Sequence, residues 1–357
     1  MIEYVKFKRA LSRIDLPSYL RARRNQDNEL AKVLDLIPLM IEVLAMRDPL
    51  LYTLTILKAM NLAFRHDIVR EETALTLLGY ATVLSSGMGE YDEGYRIGKI
   101  ALSYILENDI RTFKAQAIFI FHTHVSHWKD HLGASLPAYM DAYRIGRENG
   151  EHSTAAFALG TYCFHSLIIG KPLSALGDEI RKFAEITGEL KQATMSDHLR
   201  IAESTVTRFS GFAEVSRADE LCLLDSLAKK KNNYALFLFH FYGATVGYIL
   251  GEYDLAFSEI TEAAKYVDSI RGVSHVPIHN FLESLILTAR MPESGRARSK
   301  TLKRVAANQA KLRKMATLAP MNNRHRFDLV EAETARIGGH ALAAEAAYEK
   351  AIKGAEE

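Results

Sequence analysis

A glycine-headed pattern recurs along the chain and limits the folds open to it. From Phe241 to Val267 the residues read as a helix, a tight turn and a second helix. Gly251 supplies the turn, because glycine takes φ > 0 at little cost. Tyr253, Ala256, Ile260 and Ala263 follow at offsets +2, +5, +9 and +12. Those offsets keep a 3.6-residue period, so the four share one helix face, with small residues where a neighbouring helix approaches closely. Gly89 is followed at the same offsets by Tyr91, Gly94, Gly98 and Ala101, Gly133 by Ser135, Ala138, Ala142 and Ile145, and Gly339 by Ala341, Ala344, Tyr348 and Ala351. Weaker copies begin at Gly170 and Gly211, and Gly295 marks a seventh. Successive glycines are separated by 44, 37, 41, 40, 44 and 44 residues. A hairpin period of about 40 exceeds the tetratricopeptide period of about 34 and is near that of HEAT-type repeats, while the turn and second helix are tetratricopeptide-like. The expectation is an all-α chain, an α-solenoid of tetratricopeptide-like helical hairpins.

No alternating strand pattern opposes this reading. Helices are expected at 30–46 with a kink at Pro38, from Asp48-Pro49 to about Arg65, at 71–86 and 91–107, and at 112–128 and 132–149. The series continues through 153–169, a partner opening at Pro172, 191–210, 217–230, 234–250, 253–267, 276–289, 301–318, 326–337 and 342–353. Asp48 is an N-cap and Pro49 a first helical residue. Residues 1–27 carry seven Lys or Arg against Glu3, Asp15 and Asp27 and are broken by Pro17. They read as a basic, partly ordered lead-in to a repeat domain at 28–357.

The 357 residues are 48% hydrophobic and 25% charged, ordinary for a soluble folded protein, and the net charge of +2 singles out no nucleic-acid partner. The two cysteines, Cys163 and Cys222, lie in apolar helical patterns, which argues against a disulfide framework and for a reducing cytoplasm. The N-terminus lacks the apolar core of a signal peptide, and no run reaches the ~18 apolar residues of a membrane span.

Motifs that carry chemistry are sparse. His122, His124 and His127 form the densest polar cluster, but only His124 and His127 share a helix face, and no H-E-x-x-H accompanies them. Buried or capping histidines are the expectation there, and satisfied core histidines at His165 and His240. Gly94 to Lys99 imitates a phosphate-binding loop with one residue too few and Ile100 where a hydroxyl belongs. Within a helix, its glycines serve close packing. Cys163 and His165 face apart on a helix and make no nucleophilic pair. Neither a nucleophile elbow nor a kinase catalytic motif is present, so no catalytic residue, metal site or cofactor is expected.

The strongest surface signal lies at 296–326, where Arg296, Arg298, Lys300, Lys303, Arg304, Lys311, Arg313, Lys314, Arg324 and Arg326 occur without one Asp or Glu. Lys300, Lys303, Arg304, Lys311, Arg313 and Lys314 are the candidate partner-binding residues, suited to an acidic protein surface. No base-reading motif accompanies them. Phe237, Phe239, Phe241, Tyr242 and Tyr248 are most simply core, with a peptide groove as the alternative.

Several stretches together resemble one family: Asn61 to Leu84, Gly89 to Leu102, Ser126 to Gly150, Tyr162 to Leu173 and Val305 to Gly339. They look like the helical-repeat region of very large bacterial and fungal signalling proteins. Those proteins join a Ser/Thr-kinase-like domain, a STAND-type AAA ATPase, this region, a GAF domain and a sensor histidine kinase. The resemblance covers roughly residues 30–355. It implies a cytoplasmic, non-catalytic scaffold or sensor arm whose partners are the neighbouring ATPase or sensor-kinase domains. A stand-alone adaptor for a peptide or protein is the alternative, and a metal-dependent enzyme using His122 to His127 a remote one.

Overall fold

The computed structural model describes residues 2–22, 29–211 and 216–356. Among the described residues every regular element is helical, and no helix is long and apolar enough to cross a membrane. The residues group into two compact units, Met1–Lys129 with Ala138–Ala155, and Asp130–Pro137 with Ala156–Glu357.

Unit 1 contains α1 (Ile2–Leu11), α2 (Leu16–Arg21), α3 (Glu29–Asp35), α4 (Ile37–Arg47), α5 (Pro49–His66), α6 (Glu71–Thr82), α7 (Tyr91–Glu107) and α8 (Lys114–His124). Within the basic N-terminal segment, residues 2–22 form α1 and α2 and supply core. Phe7 is fully buried, stacked on Phe64 at 5.1 Å and edge-on to Tyr80 at 4.1 Å. Tyr19 donates its hydroxyl to the Ile68 carbonyl at 2.7 Å. The cations of 2–22 face outward while Phe7, Leu16 and Leu20 face inward, so charge did not prevent docking. Residues 23–27 of that stretch lie outside the described residues. Pro17 starts α2 rather than breaking a helix, with Asp15 accepting from the Ser18 amide at 3.1 Å. Pro38 likewise stands in the first turn of α4 and separates it from α3. Proline fits there because the first-turn amides have no intrahelical partner to lose. Asp48 caps α5, accepting from the Leu50 and Leu51 amides at 3.1 and 2.9 Å.

α9 (Ser135–Asn149) and α10 (His152–Ile168) contribute residues to both units. Unit 2 continues with α11 (Leu173–Glu189), α12 (Ala193–Ser210), α13 (Arg217–Lys229), α14 (Asn233–Ile249), α15 (Tyr253–Ala263), α16 (His275–Ala289), α17 (Gly295–Leu318), α18 (Pro320–Ile337) and α19 (Ala341–Glu356). Sequence neighbours pack as pairs, α6 on α7, α11 on α12, α14 on α15 and α18 on α19. Alternate helices also meet, α12 with α14 and α16 with α18.

Helix ends reuse one device. After α14 the Gly251 amide donates to Tyr248 and the Glu252 amide to Gly247 at 2.8 Å, which satisfies carbonyls the helix leaves unpaired. This closure needs a left-handed residue, and Gly251 has φ 80°. Gly89, Gly170 and Gly339 also have positive φ, of 71, 75 and 77°. Gly133 differs. It lies in a 3₁₀ turn, Leu132–Ala134, outside the left-handed region, and an added Cβ would meet the His131 ring at 3.0 Å. Two further turns close identically without glycine. Lys191 and Lys231 have φ 55 and 51°, and the amides that follow them donate back to Thr187 and Leu227 at 3.0 and 3.1 Å.

A non-glycine residue in this region costs ~1–2 kcal/mol, while glycine loses ~0.4–1 kcal/mol more chain entropy on folding. The first effect wins. Lys191→Gly and Lys231→Gly are each expected to stabilise by ~0.5–1 kcal/mol, and Gly251→Ala to destabilise by about 1 kcal/mol. Urea midpoints at constant m-value read all three, and an unchanged midpoint for both lysine variants refutes the strain.

Candidate docking surface

α17 presents its cations as a stripe. At 100° per residue, Arg296, Lys300, Lys303, Arg304, Lys311 and Lys314 fall within an arc of about 100° and span ~27 Å of axis. Val305, Leu312 and Ala316 lie opposite and are buried. The alternation of the two sets is what makes this stretch a helix with one inner and one outer face. All six cations are exposed.

Four of the ten cations at 296–326 are held elsewhere. Arg298 donates to the Pro292 and Ile337 carbonyls at 3.0 and 2.8 Å and ties the start of α17 to the end of α18. Arg313, one of the candidate docking residues, lies with its guanidinium carbon 5.5 Å from the Phe327 ring centre, and Arg324 approaches the same ring to 5.7 Å. Arg324 also donates to Asp328 at 2.8 Å. Arg326 folds onto the Asn322 carbonyl, and burial lowers its pKa to about 10.

Within the stripe, Arg304 is engaged. Its Nη2 lies 2.9 Å from Glu283, whose side chain is only 14% exposed and also accepts from Asn308 Nδ2 at 2.7 Å. Burial lowers the pKa of His279 beside this pair, Glu283 opposing and Arg304 and Lys311 reinforcing it. Lys300, Lys303, Lys311 and Lys314 are the exposed lysines of the candidate set.

The remaining candidates are built into packing. His127 is buried with its ring 4.3 Å from Trp128, and Trp128 Nε1 donates to the His124 carbonyl at 3.1 Å. Among the described residues no three His, Cys, Asp or Glu side chains converge as metal ligands would. The glycines of Gly94 to Lys99 face neighbouring helices: a Cβ on Gly98 would meet the Phe121 ring at 3.1 Å. Cys163 is buried, and burial pushes its thiol pKa up, away from the nucleophilic thiolate. His165 lies between two serines, with Ser135 Oγ 3.0 Å from Nδ1 and Ser274 Oγ 3.2 Å from Nε2. Ser135 already donates to the Leu132 carbonyl at 2.6 Å, so it accepts from His165 Nδ1–H, leaving Nε2 to accept from Ser274. His240 Nδ1 is 2.7 Å from Glu259, and His240 stacks on Tyr266.

Sequence reasoning passed over the polar interior of unit 2. Tyr242 and His275 share a hydrogen bond of 3.1 Å, Phe164 stacks on Tyr242 at 5.4 Å, and His198 and His279 are buried nearby in the sequence of helices α12 and α16. Isolated histidines in apolar helices were the only local sign. α12 to α15 also enclose a cavity of about 130 Å³ lined by Arg208, Glu220, Phe239 and Glu259. Its charges are matched internally: Glu220 lies 3.6 Å from Arg208 and accepts from Ser204, and Glu259 holds His240. The basic stripe is thus the surface where charge remains on offer.

No protein-family model, curated protein or solved structure matches the chain.

Proposed function

We propose that this chain is a non-catalytic helical-repeat scaffold, the sensor arm of a cytoplasmic multidomain signalling kinase. It binds an acidic face of a neighbouring ATPase or sensor-kinase domain along α17. The observation that carries the docking surface is the stripe, with Lys300, Lys303 and Lys311 exposed opposite a buried apolar face. Its placement adds weight. Arg296 stands in the first turn of α17, the positive end, where an exposed cation costs ~0.3–1 kcal/mol against the helix dipole. A local cost of this kind is retained where a partner's charge offsets it.

The wider architecture in this reading is an α-solenoid of tetratricopeptide-like hairpins repeating every ~40 residues. The left-handed residues Gly170, Lys191, Gly211, Lys231, Gly251 and Gly272 support it, each 20 or 21 positions from the last, as do the contacts between alternate helices. The resemblance to the large signalling proteins supplies the partner class. Stacked hairpins touch only their neighbours, so small shifts accumulate along such an array and transmit a change of shape.

Lysine-directed cross-linking in source cells tests the surface. Lys300, Lys303 and Lys311 are expected to join an acidic segment of an ATPase or sensor-kinase domain. Reversing all three to Glu alters three exposed pairs worth ~0.2–1 kcal/mol each, so capture should fall about tenfold with helicity unchanged. Arg304 is left in place because its replacement also unpairs Glu283. Undiminished capture by the triple variant rejects the surface, and ATP turnover by the purified chain rejects the non-catalytic reading. An immunoblot band well above 40 kDa places the chain inside a larger kinase, whereas one at 40 kDa assigns it to the stand-alone adaptor.

A further inference from the structure

The cavity of unit 2 joins charged groups to apolar walls. It measures about 130 Å³ and lies between α12, α13, α14 and α15. At the ~10–15 Å³ that seats one water-sized atom, it takes a molecule of about ten non-hydrogen atoms. Leu223, Leu224, Phe239 and Leu255 line it together with Arg208, Glu220 and Glu259. The side chains of those three ions are 24, 21 and 24% exposed, so each is largely withdrawn from water yet within reach of a solute. Leu221 also lines the space and is 54% exposed, so the cavity is not sealed.

The ions face partners, but much of their hydrogen-bonding capacity is unused. Arg208 Nη1 stands 3.6 Å from Glu220, beyond hydrogen-bond length, and no described group takes up the five donors of the guanidinium. Glu259 receives His240 Nδ1 on Oε2 at 2.7 Å, and its Oε1 accepts from no described group. Gly243 leaves this carboxylate its place, since a Cβ there would meet Glu259 Oε2 at 3.2 Å. A fork of open donors and an open carboxylate oxygen thus border one small apolar space.

We propose that this cavity binds a small zwitterion, an apolar α-amino acid, with its carboxylate on Arg208 and its ammonium on Glu259. Simpler ligands fit the lining worse. An anion meets the carboxylates of Glu220 and Glu259, and a cation meets the guanidinium of Arg208. An uncharged apolar molecule strips water from all three ions and returns no hydrogen bond. A zwitterion offers each ion its opposite, and a carboxylate matches the planar fork of a guanidinium. Leu223, Leu224, Phe239 and Leu255 receive the apolar side chain. The site is separate from the α17 stripe and does not depend on its partner.

Equilibrium dialysis of the full chain against labelled L-leucine tests the proposal, with isocaproate and isoamylamine as competitors. Leucine is expected to bind saturably, one molecule per chain. The competitors each lack one of its two charges and should bind about 10- to 100-fold more weakly. Arg208→Gln and Glu259→Gln should each lower leucine affinity by a similar factor with unchanged circular dichroism. No retention of leucine at about 10 mM overturns the proposal. So does competition by either analogue at the strength of leucine itself, or undiminished retention by either variant. If a variant loses helicity, amide exchange of the unaltered chain decides. Leucine must raise the protection of α12 and α15, and exchange that ignores leucine overturns the proposal equally.

Discussion

Acidification from pH 7 to pH 4.5 should weaken unit 2 by several kcal/mol, through histidines buried as neutral rings. Burial lowers the pKa of His275 to about 3 and that of His198 to about 4, Asp197 opposing the shift at His198. His275 is enclosed by Phe164, Phe237, Phe241 and Tyr242, and His198 by Phe164 and Tyr234, rings that offer an imidazolium no counter-charge. An unfolded histidine titrates near 6.5. Between that value and the folded one, the unfolded state binds protons that the folded state refuses. The stability is therefore fully present above about pH 6.5 and lost as pH falls toward 3 to 4, at ~1.4 kcal/mol per pH unit for each ring. At pH 4.5 each histidine accounts for roughly 2–3 kcal/mol. In unit 1 burial raises the pKa of Glu72 and Glu151, a shift whose effect on stability has the opposite sign. Urea midpoints at pH 7, 5.5 and 4.5 for the unaltered chain and for His275→Gln and His198→Gln check this. Parallel pH profiles for all three proteins exclude the mechanism.

Gly94→Val should destabilise unit 1 by about 2–3 kcal/mol, although glycine is a poor helix former. Valine in a helix gains only ~0.3–0.5 kcal/mol over glycine from propensity. Against that, a Cβ at Gly94 would stand 2.2 Å from Ser85 Oγ and 2.9 Å from the Ala81 carbonyl oxygen. The serine can rotate away, but the carbonyl belongs to α6 and moves only with the backbone. Overpacking of a tight helix contact costs ~1–3 kcal/mol and occasionally more, so the steric effect exceeds the propensity gain. The helix pair α6 and α7 approaches closely here because residue 94 lacks a side chain. Chemical denaturation of Gly94→Val reads the loss, and a midpoint at or above that of the unaltered chain contradicts it. The glycines of this stretch thus act through interhelical distance, and ATP should leave the midpoint unmoved before and after the substitution.

Much of the local structure was legible in the residues. The Asp48-Pro49 cap, the helices α14 and α15 around Gly251, and the 3.6-residue spacing after Gly89 are signals contained within a few consecutive positions. The physics behind them is equally local: a capping oxygen three residues from its amide, a left-handed turn, a stripe repeating every turn. The turns at Lys191 and Lys231 escaped notice for the same reason. They close like that at Gly251, but lysine carries no sign of a left-handed backbone, and only the packed helices on either side hold it there.

The candidate surface divided along the same line. The absence of acid from 296–326 and the outward stripe on α17 follow from order in the sequence alone. Which cations remain available does not, since Arg304 is taken up by Glu283, Arg313 by Phe327 and Arg298 by Ile337. The basic N-terminal segment became core for a similar reason, when Phe7 found Phe64 and Tyr80. By itself, then, the sequence determined that the chain is helical, where most helices begin and end, and where positive charge gathers. Tertiary structure decided which histidines are sealed from water and which cations are spent. Helix formation is governed by neighbours within one or two turns, whereas burial and pairing depend on residues brought together from far along the chain.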